Sequence, residues 1–185
     1  MLRELILAAL VALPPAWEDR AEVDRHVRLG MIADGIADAA LVESWPGAPD
    51  ELAAALVAIG WHESRYARRI HAGRCGPREC DAVADARGRV VWHRARSPWQ
   101  VQLSGVVPPA LWRAARGITP EATGAGAEAA ALALSSARRK CGDRWQPWDV
   151  GAVSMYATGR RCRWHRAPER ARMIRRILVD WRGIP

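Results

Sequence analysis

The stretch that most constrains this chain is "ELAAALVAIGWHESRYARRI", residues 51–70. Leu52, Leu56, Ile59, Tyr66 and Ile70 recur at helical spacing, and Asp50 stands where a cap belongs. The pattern predicts one helix from 51 to about 70 with a buried apolar stripe. Glu63 lies 11 residues after Leu52 and 7 after Leu56. At about 100° per residue, both separations bring it within roughly 20° of those leucines. A carboxylate on that stripe loses hydration, and burial disfavours its charged form. A carboxyl that keeps its proton near neutral pH is what general-acid chemistry needs. The competing reading pairs Glu63 with Arg65, Arg68 or Arg69 on a solvated face. A zinc-protease reading of His62-Glu63 fails, because HExxH requires histidine at 66 and the residue is Tyr66.

The rest of the chain reads as mostly helical. Residues 18–44 form a helix or a broken pair, with Val23, Val27, Met31, Ile32, Ile36 and Ala40 at helical spacing. "WPGAPD" (45–50) is a turn. Residues 71–97, rich in Gly, Pro, Arg and Cys, read as an insertion with a short hairpin near "RGRVVWH". "SPWQVQLSG" (97–105) is a loop entering a short strand or turn, and "LWRAARG" a short helix. An Ala-rich helix runs from about Ala127 to Lys140, where Arg138, Arg139 and Lys140 suit its C-terminal dipole. Asp149 caps a helix ending near Gly159. Pro168 opens a last helix that buries Met173, Ile174, Ile177, Leu178 and Trp181. The fold class is mainly α, of the α+β kind: a helical bundle around a groove with a short β-hairpin insertion. The 185 residues suit a catalytic domain over 46–185 preceded by an N-terminal helical extension over 1–45.

The net charge of +8 attracts polyanions such as nucleic acid, anionic membranes or anionic cell wall. Lys140 is the only lysine, so the basic residues are otherwise all arginine. A GC-rich genome produces that bias unaided, so it carries little information about nucleic acid. The most basic stretch, "RRCRWHRAPERAR" (160–172), reads as a solvated face around a helix start. The apolar segment Leu5–Leu13 is too short to span a bilayer. It reads as an N-terminal helix stopped by Pro14-Pro15, or as a signal h-region that lacks a clean cleavage site. Four cysteines, Cys75, Cys80, Cys141 and Cys162, suggest two disulfides and a place outside the reducing cytosol. The simplest pairing is 75–80 with 141–162. The alternative is zinc on His71, Cys75, Cys80 and His93, without the tight CxxC spacing of common structural sites.

Three short motifs in order sharpen this picture. "HESR" ends the apolar helix, "SPWQVQ" (97–102) follows a loop, and "VSMYATG" (153–159) lies in a later helix ending at glycine. Together they resemble the lysozyme-like superfamily, in particular lytic transglycosylases of the soluble-lytic type and related phage lysozymes. There the motifs are Glu-Ser, then a sequence like Gly-Leu-Met-Gln, then one like Ala-Tyr-Asn-Ala-Gly. The resemblance covers about residues 50–182. By position it implies that Glu63 is the catalytic acid/base and that Ser64 orients it. It likewise implies that Gln100 lines the groove, Tyr156 supports the glutamate, and Gly159 closes the last motif. Gln102 joins the substrate side, and Trp99 is either core or a sugar platform. Ser97-Pro98-Trp99 replaces Gly-Leu-Met, and Ala157 replaces the expected Asn, which puts one substrate hydrogen bond in doubt.

The resemblance implies cleavage of the β-1,4 bond between N-acetylmuramic acid and N-acetylglucosamine in peptidoglycan glycan strands. It calls for no metal and no cofactor. The expected partner is the glycan alone, with no nucleic acid and no integral membrane span, for a monomer acting outside the cytoplasm. Asp81 and Asp85 are the candidate second carboxylates for a hydrolase. A non-catalytic wall-binding module, or a basic nucleic-acid binder, is the rival from another class.

Overall fold

From Leu52 to Gly60 every residue of the central helix is buried, so it has no solvated face over that span. A helix apolar all round must be surrounded by other elements. In the computed structural model the described residues are 1–19, 21–42, 45–74, 83–84, 87, 90–91, 95–141 and 148–183. Among them the helices are α1 (Leu2–Ala12), α2 (Arg25–Val42), α3 (Pro49–Ser64), α4 (Arg68–His71), α5 (Pro109–Ala114), α6 (Pro120–Cys141), α7 (Trp148–Thr158) and α8 (Ala167–Arg182). The central helix is α3, and α1, α2, α6 and α8 pack on it. α6 also lies between α2 and α7, and α7 reaches α8.

One core joins these helices. Ile6 and Leu10 of α1, Leu29, Ile32 and Ile36 of α2, Leu52, Leu56 and Ile59 of α3, Leu134 of α6 and Ile174 of α8 belong to a single cluster. Each such side chain contributes about 1.5–3 kcal/mol by leaving water. The segment 1–45 shares this core through Ile6, Leu10, Leu29, Ile32 and Ile36.

Several expected boundaries move, each for a physical reason. The helix expected to run to 70 stops at Ser64, because Arg65 and Tyr66 take left-handed backbone angles. Its N-cap is Ala48 with Pro49 at the first helical position, so Asp50 sits inside the first turn. Val23 and Val27, expected on a buried face, are 95% and 65% exposed. The buried face of α2 runs instead through Leu29, Ile32, Ala33, Ile36 and Ala40. α6 starts at Pro120, earlier than Ala127, because Gly124 and Gly126 continue the helix despite poor propensity. α8 buries Ile174 and Ile177, with Met173, Leu178 and Trp181 partly buried against the same core.

Strand content among the described residues is small. Val83–Ala84 pairs antiparallel with Val90–Val91, Val83 opposite Val91 and Ala84 opposite Val90. The hairpin expected near 87–93 falls largely outside the described residues, as do Cys75, Cys80, Asp81, Asp85 and His93. Cys141 and Cys162 form a disulfide, with Cα atoms 5.4 Å apart, that ties the end of α6 to the segment after α7. No helix among the described residues is long and apolar enough to cross a membrane.

Candidate active site

Glu63 sits where α3 leaves the core, and the chain behind it turns sharply. Arg65 and Tyr66 have φ of 50° and 53°. A non-glycine residue in that region costs about 1–2 kcal/mol, so the surroundings must hold it there. Ser64 Oγ donates to the Gly60 carbonyl at 2.9 Å and accepts from the Tyr66 amide at 3.0 Å. The Tyr66 hydroxyl donates to the Val57 carbonyl at 2.9 Å, and its own carbonyl accepts from Arg28 Nη1 at 2.6 Å. Gly60 makes this fit possible: a Cβ there would lie 2.5 Å from the Tyr66 hydroxyl oxygen. Arg28 is buried and pairs with Asp19 at 3.2 Å and Glu22 at 2.6 Å. Asp19 also accepts from the Arg68 amide at 2.8 Å. A buried ionic network from residues 19–28 thus clamps the turn that follows Glu63.

The second motif forms another strained turn. Arg96 and Val101 exchange backbone hydrogen bonds of 2.9 and 2.8 Å, and the Gln100 amide donates to the Ser97 carbonyl at 3.1 Å. Ser97 and Gln100 have φ of 65° and 53°. Trp99 points inward, fully buried, and its Nε1 donates to the Leu56 carbonyl at 2.8 Å. The Tyr156 hydroxyl donates to the Trp99 carbonyl at 2.7 Å, which fixes the turn against α7. Gly126 of α6 lets the turn approach, since a Cβ there would meet the Ser97 Cβ at 2.5 Å. Among the described residues, all four non-glycine positions with positive φ lie in these two segments.

The end of α3, the turn at Gln100 and α7 border one cleft of about 750 Å³. Glu63, Gln100, Gln102, Tyr156 and Gly159 line it, together with residues 103–107, Met155, Thr158, Lys140 and Arg160. Five sequence-predicted site residues therefore meet at one place. Two others do not reach it. Trp99 belongs to the core and offers no sugar platform. Ser64 is buried, and its hydroxyl serves the backbone of the turn instead of the glutamate. Tyr156 reaches the site with its hydroxyl turned to the Trp99 carbonyl. Its single proton goes to Trp99, so it cannot also donate to Glu63. Burial, then the nearby Glu63 charge, push the Tyr156 hydroxyl well above the usual phenol range, with Arg170 opposing.

Arg170 is the partner that helical phase on α3 alone did not reveal. Its Nη1 donates to Glu63 Oε1, with the two side chains 11% and 21% exposed. Its guanidinium also lies over the Trp164 ring, 4.8 Å from the centroid. Contact with a guanidinium favours the carboxylate over the acid. The same helix pair carries a second bridge at its other end, Asp50 to Arg182 at 2.8 Å. The two differ in sense. Asp50 at the start of α3 and Arg182 at the end of α8 each complement a helix dipole, whereas Glu63 and Arg170 each oppose one, by about 0.3–1 kcal/mol apiece. The bridge at Glu63 is the one that helix stability alone would not place there.

Arg170 was legible in principle. Ala167, Ala171 and Ile174 are buried, and Arg170 lies on the same face as these three. Lys140 and Arg160 gave no sequence signal beyond their charge. The four-residue zinc alternative has one described member, His71, which is buried and bonded to Thr123 at 2.8 Å. No protein-family model, curated protein or solved structure matches the chain.

Proposed function

We propose that the protein cleaves the β-1,4 bond between N-acetylmuramic acid and N-acetylglucosamine in peptidoglycan, as a lytic transglycosylase of lysozyme-like type with Glu63 as general acid/base. The observation that carries this reading is the meeting of Glu63, Gln100, Gln102, Tyr156 and Gly159, from three distant segments, in one cleft. Among the described residues, backbone strain is confined to the segments bearing Glu63 and Gln100, which supports it, since strain of this kind gathers at functional sites.

In this mechanism the Glu63–Arg170 contact is a resting arrangement. Substrate entry separates the pair, and Trp164 offers the guanidinium an aromatic face to rest on. Glu63, protonated, gives its proton to the leaving glycosidic oxygen as the bond to C1 breaks. The substrate's acetamido oxygen holds C1 until the 6-hydroxyl attacks it. The hydroxyl proton returns to Glu63, which closes the cycle and yields a 1,6-anhydro product. Among the described lining residues Glu63 is the one carboxylate, which suits a substrate-assisted route better than a two-carboxylate hydrolase. The Cys141–Cys162 disulfide fits a place outside the reducing cytosol.

Zymography on purified peptidoglycan, wild type against Glu63→Gln, tests the proposal. Clearing by the wild type and none by the folded variant supports it. Mass spectrometry of the products separates anhydro ends from the free reducing ends of a hydrolase. The α3–α8 pair also favours a second reading, a non-catalytic wall-binding module in which Glu63–Arg170 only joins two helices. That reading predicts wall binding without clearing.

A further inference from the structure

Lys140 and Arg160 line the same cleft, both exposed. Among the described residues neither is ion-paired, although Arg28, Arg68, Arg138, Arg170 and Arg182 all engage carboxylates. The lining carboxylate, Glu63, is already matched by Arg170. The cleft therefore presents two cations that no described anion answers. Tyr156 is the only aromatic among its described lining residues, and its hydroxyl is committed to Trp99. Ring stacking has little to offer a ligand there, and charge has more.

The disulfide joins the two backbone segments that carry these cations. Lys140 immediately precedes Cys141, and Arg160 stands two residues before Cys162. Both cations thus hang from one covalent anchor whose Cα atoms are 5.4 Å apart. Such preorganisation lowers the ordering cost of binding a multivalent anion.

We propose that Lys140 and Arg160 form a carboxylate-binding subsite of the cleft, so that its substrate is a glycan bearing acidic side branches. Resting on the peptidoglycan reading, those branches are the carboxylates of the stem peptides, and peptide-free glycan is the poorer ligand. The bland alternative is that both cations only complement the negative ends of α6 and α7.

Full-length Glu63→Gln, with or without Lys140→Ala and Arg160→Ala together, is titrated with a disaccharide-tetrapeptide and with the same disaccharide lacking peptide. The cation-free form should bind the peptide-bearing ligand about tenfold more weakly. Binding of the bare disaccharide should be unchanged, and the salt dependence for the peptide-bearing ligand should flatten. Equal affinity in both forms, with folding confirmed by circular dichroism, overturns the proposal. So does tighter binding of a single-stranded oligonucleotide than of the peptide-bearing saccharide. No clearing by the wild type in the zymogram, with the charge-dependent binding intact, would instead sink the glycosidase and leave the subsite standing.

Discussion

The Glu63 carboxylate and the Arg170 guanidinium meet at one end of the antiparallel pair α3 and α8, 107 residues apart in sequence, while Asp50 and Arg182 meet at the other. The first pair opposes both helix dipoles and faces a cleft. The second complements both dipoles and faces solvent. This asymmetry separates a bridge that the fold wants from one that the site imposes.

Replacing Arg170 with Met should therefore affect chemistry more than folding. Removing the guanidinium favours the acid form of Glu63, so under the proposed function the pH optimum of lysis should move upward. A double-mutant cycle of Glu63→Gln and Arg170→Met in urea should give a coupling of about 1–3 kcal/mol. An unmoved optimum would mean that Arg170 does not govern the proton on Glu63.

Arg28 should matter to stability far more than its single position suggests. Arg28→Met removes the buried cation between Asp19 and Glu22, leaving only the exposed Arg68 beside Glu22, and takes the donor from the Tyr66 carbonyl. Breaking such a network costs about 3–5 kcal/mol. Thermal melting should fall by roughly 10 °C for a chain of this size.

Acid should weaken the fold in two stages. His71 is buried, and burial pushes its imidazole down to about 3, with Arg28 adding to the effect. Below its unfolded value the open chain gains a proton that the folded chain refuses, so stability falls as pH drops from about 6.5 towards 3. The Thr123 hydroxyl donates to the Thr119 carbonyl, so His71 Nε2 carries the ring proton and donates to Thr123. Glu22 is held below the ordinary carboxylate range by its hydrogen bonds to Arg28. Its stabilisation is present above its unfolded value and is lost only at still lower pH, through its depressed folded value. Urea midpoints measured from pH 7 to pH 4 should decline, and His71→Gln should flatten the upper part of that decline.

The two close glycines predict a packing effect that is local to the site. Gly126→Ala forces a methyl against Ser97, and such overpacking costs about 1–3 kcal/mol. The Ser97–Gln100 turn must shift to relieve it, so ligand affinity should drop along with the melting temperature.

Cys141→Ala with Cys162→Ala opens a loop of 21 residues' separation, worth about 3 kcal/mol in chain entropy. Under oxidising conditions the urea midpoint of the double variant should fall below that of the wild type by a corresponding amount.

Much of the architecture was legible because helical spacing survives in the sequence. The buried faces of α8 and the lower half of α2, and the stop of α7 at Gly159, follow from it. The end of α3 was not legible, because nothing in Arg65-Tyr66 signals a left-handed pair. It is Ser64, Gly60 and a distant Arg28 that hold those angles. Trp99 escaped for a similar reason. A tryptophan next to a motif glutamine reads equally as platform or core, and only the Leu56 carbonyl decides between them. Phase reasoning on α3 placed Glu63 correctly on the buried side, and the same reasoning on α8 finds Arg170 there too. The pair was hidden because phase reports a face and not the neighbour across it.

The four left-handed residues of the two turns carry one more consequence. Glycine adopts such angles without penalty. Arg65→Gly, Ser97→Gly or Gln100→Gly would each relieve local strain, in a chain that uses 15 glycines elsewhere. Engineering for heat resistance will be drawn to these positions first. A gain in melting temperature there, set against weaker function of the cleft, is the stability–activity trade-off in miniature.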